Sequence, residues 1–198
     1  SRSGIVELSE KINTLMAPIT LRPLKIYISM SLDGYLADEN DSLDFLSAVH
    51  QEGEDYGYGN FTAEVDTYLV GRRTYDVVKN LCGGSFPPAE KFKCYVITRQ
   101  EHAAENNVTF YSGDLKTLVD DLKSQEGKTI YCDGGGQLVR ELLNMNVVDE
   151  LIISVIPILL GSGKPLFLAS PKNHGLELLS TKPFSSGLVQ LHYRVNHP

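Results

Sequence analysis

Hydrophobic and polar positions follow two alternating periods along the chain, which predict strands separated by helices. Period-two or wholly apolar runs predict strands at residues 25–31, 67–70, 93–98, 108–111, 129–132, 150–157, 176–181 and 188–195. Apolar residues at helical spacing predict a helix over 115–124. Further helices are predicted to begin at Gly71 and to span about 137–144, directly after strands.

This alternation predicts one α/β domain over residues 24–198. Its central sheet is expected to be mixed but mostly parallel, with helices on both faces and an antiparallel C-terminal edge. Residues 1–23 are predicted to form a separate N-terminal extension, a short amphipathic helix with apolar residues at positions 5, 8, 12, 15 and 16. Two interpretations of this extension stay open: a segment without a role, or an arm that packs on a partner subunit.

Composition narrows the function classes. The chain of 198 residues carries a formal net charge of -7, which disfavours general attraction to nucleic acid or to an anionic membrane. Its three cysteines lie far apart and the histidines show no metal-ligand spacing, so neither a disulfide framework nor a metal site is expected. No signal peptide is evident, and the expected location is the cytoplasm.

Three segments that follow predicted strands have the composition of phosphate sites. They are Gly71-Arg72-Arg73-Thr74, Thr98-Arg99 and Gly134-Gly135-Gly136. Glycine permits close backbone approach, helix N-termini attract anions, and arginine pairs with phosphate oxygens. Each segment alone has another interpretation: a turn with a Thr74 cap and solvated arginines for the first, a surface arginine after a strand for the second, and a flexible turn for the glycine triplet. Because ligands of open α/β sheets bind at the carboxyl ends of the strands, the three are expected to act together.

Four ordered motifs carry a resemblance to a known family. They are Ser29–Ala37, Gly71–Tyr75, Gly134–Gly136 and Pro157–Phe167. The set resembles the reductase domain of bifunctional riboflavin-biosynthesis deaminase-reductases, and the stand-alone dihydrofolate-reductase-like proteins of that family. The resemblance implies a dihydrofolate-reductase-like sheet over nearly the whole domain. The zinc signature of the deaminase domain is not present in this sequence.

The same resemblance implies an NADPH site and a cis peptide between Gly134 and Gly135. The cofactor phosphates would be contacted by Gly71, Arg72, Arg73 and Thr74, and the adenosine 2′-phosphate by Thr98 and Arg99. The pyrophosphate would be held by Gly134, Gly135, Gly136, Gln137 and Leu138, and the nicotinamide would lie along Ala37. The implied activity is NADPH-dependent reduction of a carbonyl or imine carbon in a small heterocyclic substrate, as in the riboflavin-pathway pyrimidine reductase. Dihydrofolate reductase proper and a non-catalytic nucleotide-binding protein are the alternatives. A homodimer is expected.

The substrate side of the site is less defined by the sequence. Asp33 and Asp55 are the candidate catalytic carboxylates, and Asp44, Phe45 and Asp133 are expected to border the substrate pocket. Asp33 also lies in a predicted turn, so a role in the turn is the alternative for it. For the other acids the alternative is a solvated surface position.

Overall fold

A computed structural model describes residues 21–198, so the predicted N-terminal helix lies outside the described residues. In the described part of the chain there are ten strands: β1 (Leu24–Ser31), β2 (Tyr35–Ala37), β3 (Val65–Gly71), β4 (Lys93–Ile97), β5 (Val108–Tyr111), β6 (Thr129–Cys132), β7 (Glu150–Ile156), β8 (Lys164–Pro165), β9 (Leu176–Pro183) and β10 (Val189–Val195). Four α-helices accompany them: α1 (Tyr58–Ala63), α2 (Arg72–Leu81), α3 (Leu115–Ser124) and α4 (Gly136–Asn144). Asp44–Val49 and Pro87–Glu90 form 3-10 helices.

Eight of these strands form one sheet in the order β5-β4-β3-β6-β1-β7-β10-β9. The first six are parallel, and β10 runs antiparallel to both β7 and β9. The predicted mixed sheet with an antiparallel C-terminal edge is confirmed. A separate two-stranded sheet joins β2 to β8.

The core occupies both faces of the large sheet. Leu24, Ile26 and Ile28 of β1 alternate onto the face that α3 and α4 cover, whereas Tyr27 lies on the opposite face. That second face is rich in aromatic side chains and packs against α1 and α2. Because helices cover both faces, all four residues of β6 are buried, as is usual for a central parallel strand.

The sequence patterns missed the shortest elements. β2 and β8 have three and two residues, too few to show a period. α1 has no buried residue, so no apolar stripe marks it; it follows Gly57, which has a positive φ of 83°. Within residues 21–198, no helix is long and apolar enough to cross a membrane, and no group of three or more potential ligands is arranged for a metal ion.

Candidate functional site

Two of the three predicted phosphate segments meet at the carboxyl edge of the sheet. β3 and β6 are neighbouring parallel strands. Gly71 at the end of β3 and Gly134 just after β6 therefore lie side by side at this edge. The Gly71 N–H donates to the Gly134 carbonyl at 2.7 Å. The peptide between Gly134 and Gly135 is cis, as the resemblance implied.

The helices that start at this edge differ in how their first turns are capped. α2 begins after Gly71 and α4 after Gly135, and neither glycine has a side chain that can accept from the first N–H groups. α3, which follows β5 at the same edge, is capped by Asp114, whose carboxylate accepts from the Thr117 N–H at 2.8 Å. Two neighbouring helix N-termini are therefore free of side-chain caps, an arrangement suited to an anion.

The glycines after β6 also determine how closely the two-stranded β2–β8 sheet approaches the start of α4. A Cβ at position 136 would lie 2.4 Å from the Pro165 carbonyl oxygen, so only glycine permits this contact. A Cβ at position 135 would meet the Thr74 hydroxyl at 3.2 Å, which places that hydroxyl over the start of α4. Ala37 is buried with its carbonyl against Gly163.

The remaining predicted cofactor residues lie around this edge. The Arg72 Nε donates to the Asp76 carboxylate at 3.0 Å, and Arg73 donates to Asp41 at 2.7 Å. Thr98 and Arg99 follow β4, the strand next to β3, and Arg99 is exposed. In the first turn of α4, the Gln137 side chain is exposed. The Leu138 side chain belongs to the core, so only its backbone can face a ligand.

Asp33 has a structural set of partners. Its carboxylate accepts from the Ser31 hydroxyl at 2.6 Å and from the N–H groups of Leu160 at 3.1 Å and Gly161 at 2.7 Å. These hydrogen bonds lower the pKa of Asp33, the Ser31 bond most of all. The geometry favours the turn role over proton donation, because a group that stays ionised has no proton to give.

Asp55 is held in a similar way. Its two carboxylate oxygens accept from the backbone N–H groups of Gly57 and Gly59, both at 2.9 Å. These bonds lower its pKa, the Gly59 bond first. Asp55 thereby orders the chain that enters α1, and its geometry favours support of this turn over acid chemistry.

Asp44 and Phe45, the two predicted substrate residues of the first 3-10 helix, differ in their exposure to solvent. Asp44 is exposed in the first turn of Asp44–Val49. Phe45 is buried against Val49, Ile156 and Leu188 in a small apolar cluster beneath that helix. The structure does not bring these two side chains together.

Asp133 is the partly buried carboxylate at the edge, directly after β6. The Tyr131 hydroxyl donates to it at 3.0 Å and the Tyr68 hydroxyl donates to its other oxygen. Burial raises the pKa of Asp133 to about 6, and the two hydroxyl hydrogen bonds only partly oppose that rise. The pKa of Asp133 is therefore raised, whereas the pKa values of Asp33 and Asp55 are lowered.

The tyrosines around Asp133 were not identified from the sequence. Tyr27, Tyr68 and Tyr131 lie on β1, β3 and β6 with their side chains on one face of the sheet, and Tyr58 of α1 packs over them. The ring centroids of Tyr68 and Tyr131 are 5.1 Å apart. A tyrosine in each of three predicted central strands was the available signal, but the sequence does not show which strands are adjacent.

Known proteins resemble this chain in sequence and in structure. The chain is 40% identical over 173 residues to the uncharacterized protein YwjB of Bacillus subtilis (strain 168), covering 87% of this chain and 97% of that protein. A Shewanella sp. PV-4 protein named for riboflavin biosynthesis superposes with a TM-score of 0.81 at 27% identity, covering 88% of this chain and 99% of that one.

Two more distant structures share the fold. One is the Thermotoga maritima diaminohydroxyphosphoribosylaminopyrimidine deaminase/5-amino-6-(5-phosphoribosylamino)uracil reductase, with TM-score 0.67, 16% identity, and coverage of 89% of this chain and 57% of that one. The other is Enterococcus faecalis dihydrofolate reductase complexed with NADP(H), with TM-score 0.64, 16% identity, and coverage of 88% and 97%. The fold is dihydrofolate-reductase-like. The family model of the RibD C-terminal domain matches residues 24–190, and the chain belongs to that family.

Proposed function

We propose that this protein binds NADPH along the edge formed by β4, β3 and β6 and reduces a small heterocyclic substrate there. One observation carries the proposal. Two helices on opposite faces of the sheet, α2 and α4, start side by side after the neighbouring strands β3 and β6, follow glycines and have no side-chain caps, whereas α3 at the same edge is capped by Asp114. Free N–H groups at paired helix N-termini suit the pyrophosphate of a dinucleotide.

The cofactor residues proposed from the sequence fit this placement. The backbone N–H groups that follow Gly71 and Gly135 face the edge, the Thr74 hydroxyl lies beside Gly135, and exposed Arg99 follows the neighbouring strand. In the proposed site, Thr98 and Arg99 bind the 2′-phosphate, and Ala37 lies along the nicotinamide. When bound, NADPH supplies a hydride.

On the substrate side, we assign the pocket carboxylate to Asp133. Asp33 and Asp55 are committed to backbone N–H groups, and Asp44 is exposed to solvent. Asp133 instead combines burial, tyrosine hydrogen bonds and a raised pKa, a combination frequent in functional sites. Its proposed part is to orient the substrate ring at the edge where the cofactor lies.

Cofactor preference tests the binding half of the proposal. NADPH should bind at least about tenfold more tightly than NADH, because a charged contact to the 2′-phosphate contributes about 1.5–3 kcal/mol. The chain has no tryptophan, so the fluorescence of the reduced cofactor is the signal to follow.

The variant Arg99→Gln should remove the preference for NADPH while leaving NADH affinity unchanged. Arg194→Gln is the matched control: this exposed arginine of β10 pairs with Glu177 on the antiparallel side of the sheet. Equal affinity of the wild type for NADPH and NADH would refute the assignment of Arg99.

Turnover separates a reductase from a non-catalytic nucleotide-binding protein on the same fold. NADPH oxidation should be measured with aminouracil, pterin and cyclic imine compounds. Oxidation with dihydrofolate as the best substrate would indicate a dihydrofolate reductase instead. Tight NADPH binding with no oxidation by any of these compounds would refute the reductase half alone.

We also propose a homodimer. The outer edge strand β9 is eight residues long and largely exposed on both faces. Unpaired edge strands of this length are usually covered or blocked in soluble proteins.

A further inference from the structure

A cluster of one carboxylate and four tyrosines lies beside the proposed cofactor edge, on the α1 face of the sheet. This carboxylate–tyrosine cluster consists of Tyr27, Tyr58, Tyr68, Tyr131 and Asp133. Three of the tyrosines are held by neighbouring strands, and Asp133 accepts from two of them. Because β1, β3 and β6 are central strands, the cluster has a rigid base.

The cluster carries a single negative charge at neutral pH. Burial raises the pKa values of Tyr27, Tyr58, Tyr68 and Tyr131, so all four remain neutral. Asp133 is ionised above about pH 6. Within residues 21–198, no lysine or arginine contributes to the pKa of Asp133, which is set by burial and by the two tyrosine hydroxyls.

The cluster also presents aromatic surface to solvent. Tyr58 is 39% exposed. Its ring lies 5.7 Å from that of Tyr27 and 6.4 Å from that of Tyr131. Phe61, also on α1, stacks on Tyr27 at 4.4 Å. Of the four tyrosine rings only that of Tyr58 is exposed, so it is the π face on which a flat ring can stack, and a cation is attracted both by that face and by the nearby carboxylate.

We propose that the carboxylate–tyrosine cluster selects a flat, positively charged heterocycle as the substrate of this protein and disfavours a phosphorylated one. The inference rests on the proposed function, because it names the substrate class of that same site. It separates this chain from the Thermotoga maritima fold relative, whose name specifies a phosphoribosylamino substrate. A phosphate needs arginine, lysine or free N–H groups, and the cluster offers a carboxylate and neutral hydroxyls.

Among the described residues, Lys182 of β9 is the cation whose charge acts on Asp55, which lies near Tyr27. The Lys182 ammonium lies 4.7 Å from the centroid of the Phe184 ring, and its charge lowers the pKa of Asp55. Lys182 does not contribute to the pKa of Asp133. Within residues 21–198, therefore, no lysine or arginine acts on the Asp133 charge.

Calorimetric titration without cofactor tests this selectivity. The probes are N-methylquinolinium, a flat permanent cation; quinoline, its neutral counterpart; and uridine 5′-monophosphate, a phosphorylated pyrimidine. At about pH 7.5 we expect N-methylquinolinium to bind about tenfold more tightly than quinoline, and uridine monophosphate to bind weakest. For the permanent cation, affinity should fall about tenfold as pH is lowered through 6 and Asp133 becomes protonated.

Asp133→Asn should abolish both the preference for the cation and its pH dependence, because asparagine loses the charge while keeping one of the two oxygens that accept from the tyrosines. Asp121→Asn is the matched control, an exposed carboxylate on α3 that should change neither. Unchanged cation affinity in Asp133→Asn, or tightest binding of uridine monophosphate by the wild type, would overturn the inference. If Asp133→Asn does not fold, the pH profile of the wild type decides alone.

NADPH titration of the same samples distinguishes this inference from the proposed function. Asp133→Asn should bind NADPH as the wild type does, because the cofactor contacts are assigned to the starts of α2 and α4. Cation binding without NADPH binding would refute the proposed function and leave the cluster as a cation site. NADPH binding without cation selectivity would refute only the substrate class.

Discussion

At the scale of single residues, the ionised Asp133 carboxylate lowers the stability of the folded protein. Burial raises its pKa from 3.8 to about 6, so the native protein holds this proton more tightly than the unfolded chain does. The stabilising contribution is fully present below the unfolded pKa and is lost as pH rises through the folded value of about 6. Above that pH the ionised carboxylate is retained against a penalty, as is common at ligand sites.

Asp133→Asn should therefore stabilise the protein by about 2 kcal/mol at about pH 7.5, and by clearly less at about pH 4.5. Urea unfolding of both proteins at the two pH values gives the difference directly. Asp33, Asp55 and Asp114 have lowered pKa values, so their contributions to stability change with pH in the opposite direction. Both proteins contain these three residues, and their contributions therefore cancel in the difference. A gap in free energy of unfolding that does not change with pH would contradict the raised pKa of Asp133.

Contacts of single residues were also the least predictable from the sequence. The Asp33 turn bonds to Leu160 and Gly161, more than a hundred positions along the chain, and no local pattern reports such a partner. Asp133 was named as a pocket residue, but the tyrosines that determine its pKa come from three strands whose adjacency is a property of the sheet order. Glycine motifs were easier to predict, because backbone conformation and close approach restrict the residue type locally.

At the scale of elements, the capping of helix N-termini assigns different roles to similar helices. α3 uses Asp114 to satisfy its own first turn, whereas α2 and α4 begin with glycines. The sequence predicted all three of these helices, because each has an amphipathic or glycine-marked start after a strand. It missed α1, whose six residues carry no buried side chain.

Exchanging the caps should separate stability from cofactor binding. Gly71→Asp supplies an N-cap carboxylate at an extended backbone position, where a Cβ meets nothing closer than 3.6 Å. We expect unfolding free energy to stay equal or rise by a few tenths of a kcal/mol, since aspartate is the better N-cap. NADPH affinity should fall at least about tenfold, because the carboxylate occupies the anion position and repels phosphate.

Asp114→Gly is the reciprocal variant. It removes the cap of α3 and should lower stability by a few tenths of a kcal/mol while leaving NADPH affinity unchanged. Chemical unfolding and cofactor fluorescence are measured on both proteins. If Gly71→Asp binds NADPH normally, the phosphates do not lie at the start of α2.

At the scale of the whole molecule, sheet topology explains why the fold was predictable and the site only in part. Strand–helix alternation specifies a parallel sheet, and the final pair of strands without a helix between them specifies the antiparallel edge. Carboxyl ends of parallel strands share one edge, so Gly71, Thr98 and Gly134 were correctly grouped there. Periodicity cannot give the strand order, and the face on which the tyrosines meet depends on that order.

The two outer edges of the sheet differ, and the difference predicts how copies associate. β5 has four residues, and the chain just before it folds back in a bridge between Glu105 and Val108. β9 has eight residues with Leu176 and Leu178 exposed, so it offers both backbone groups and apolar area to a second copy.

Sedimentation should therefore show a dimer in the wild type, and Leu178→Lys should shift it towards monomer, because a charge on a flat edge strand opposes edge-to-edge pairing. Leu159→Lys is the control: Leu159 is more exposed, at 70%, but lies in the loop after β7. A dimer that survives Leu178→Lys and dissociates with Leu159→Lys would move the interface to the loop beside Asp33. Subunit contact would then adjoin the turn that Asp33 holds in place, and association would affect the site directly rather than from the far edge of the sheet.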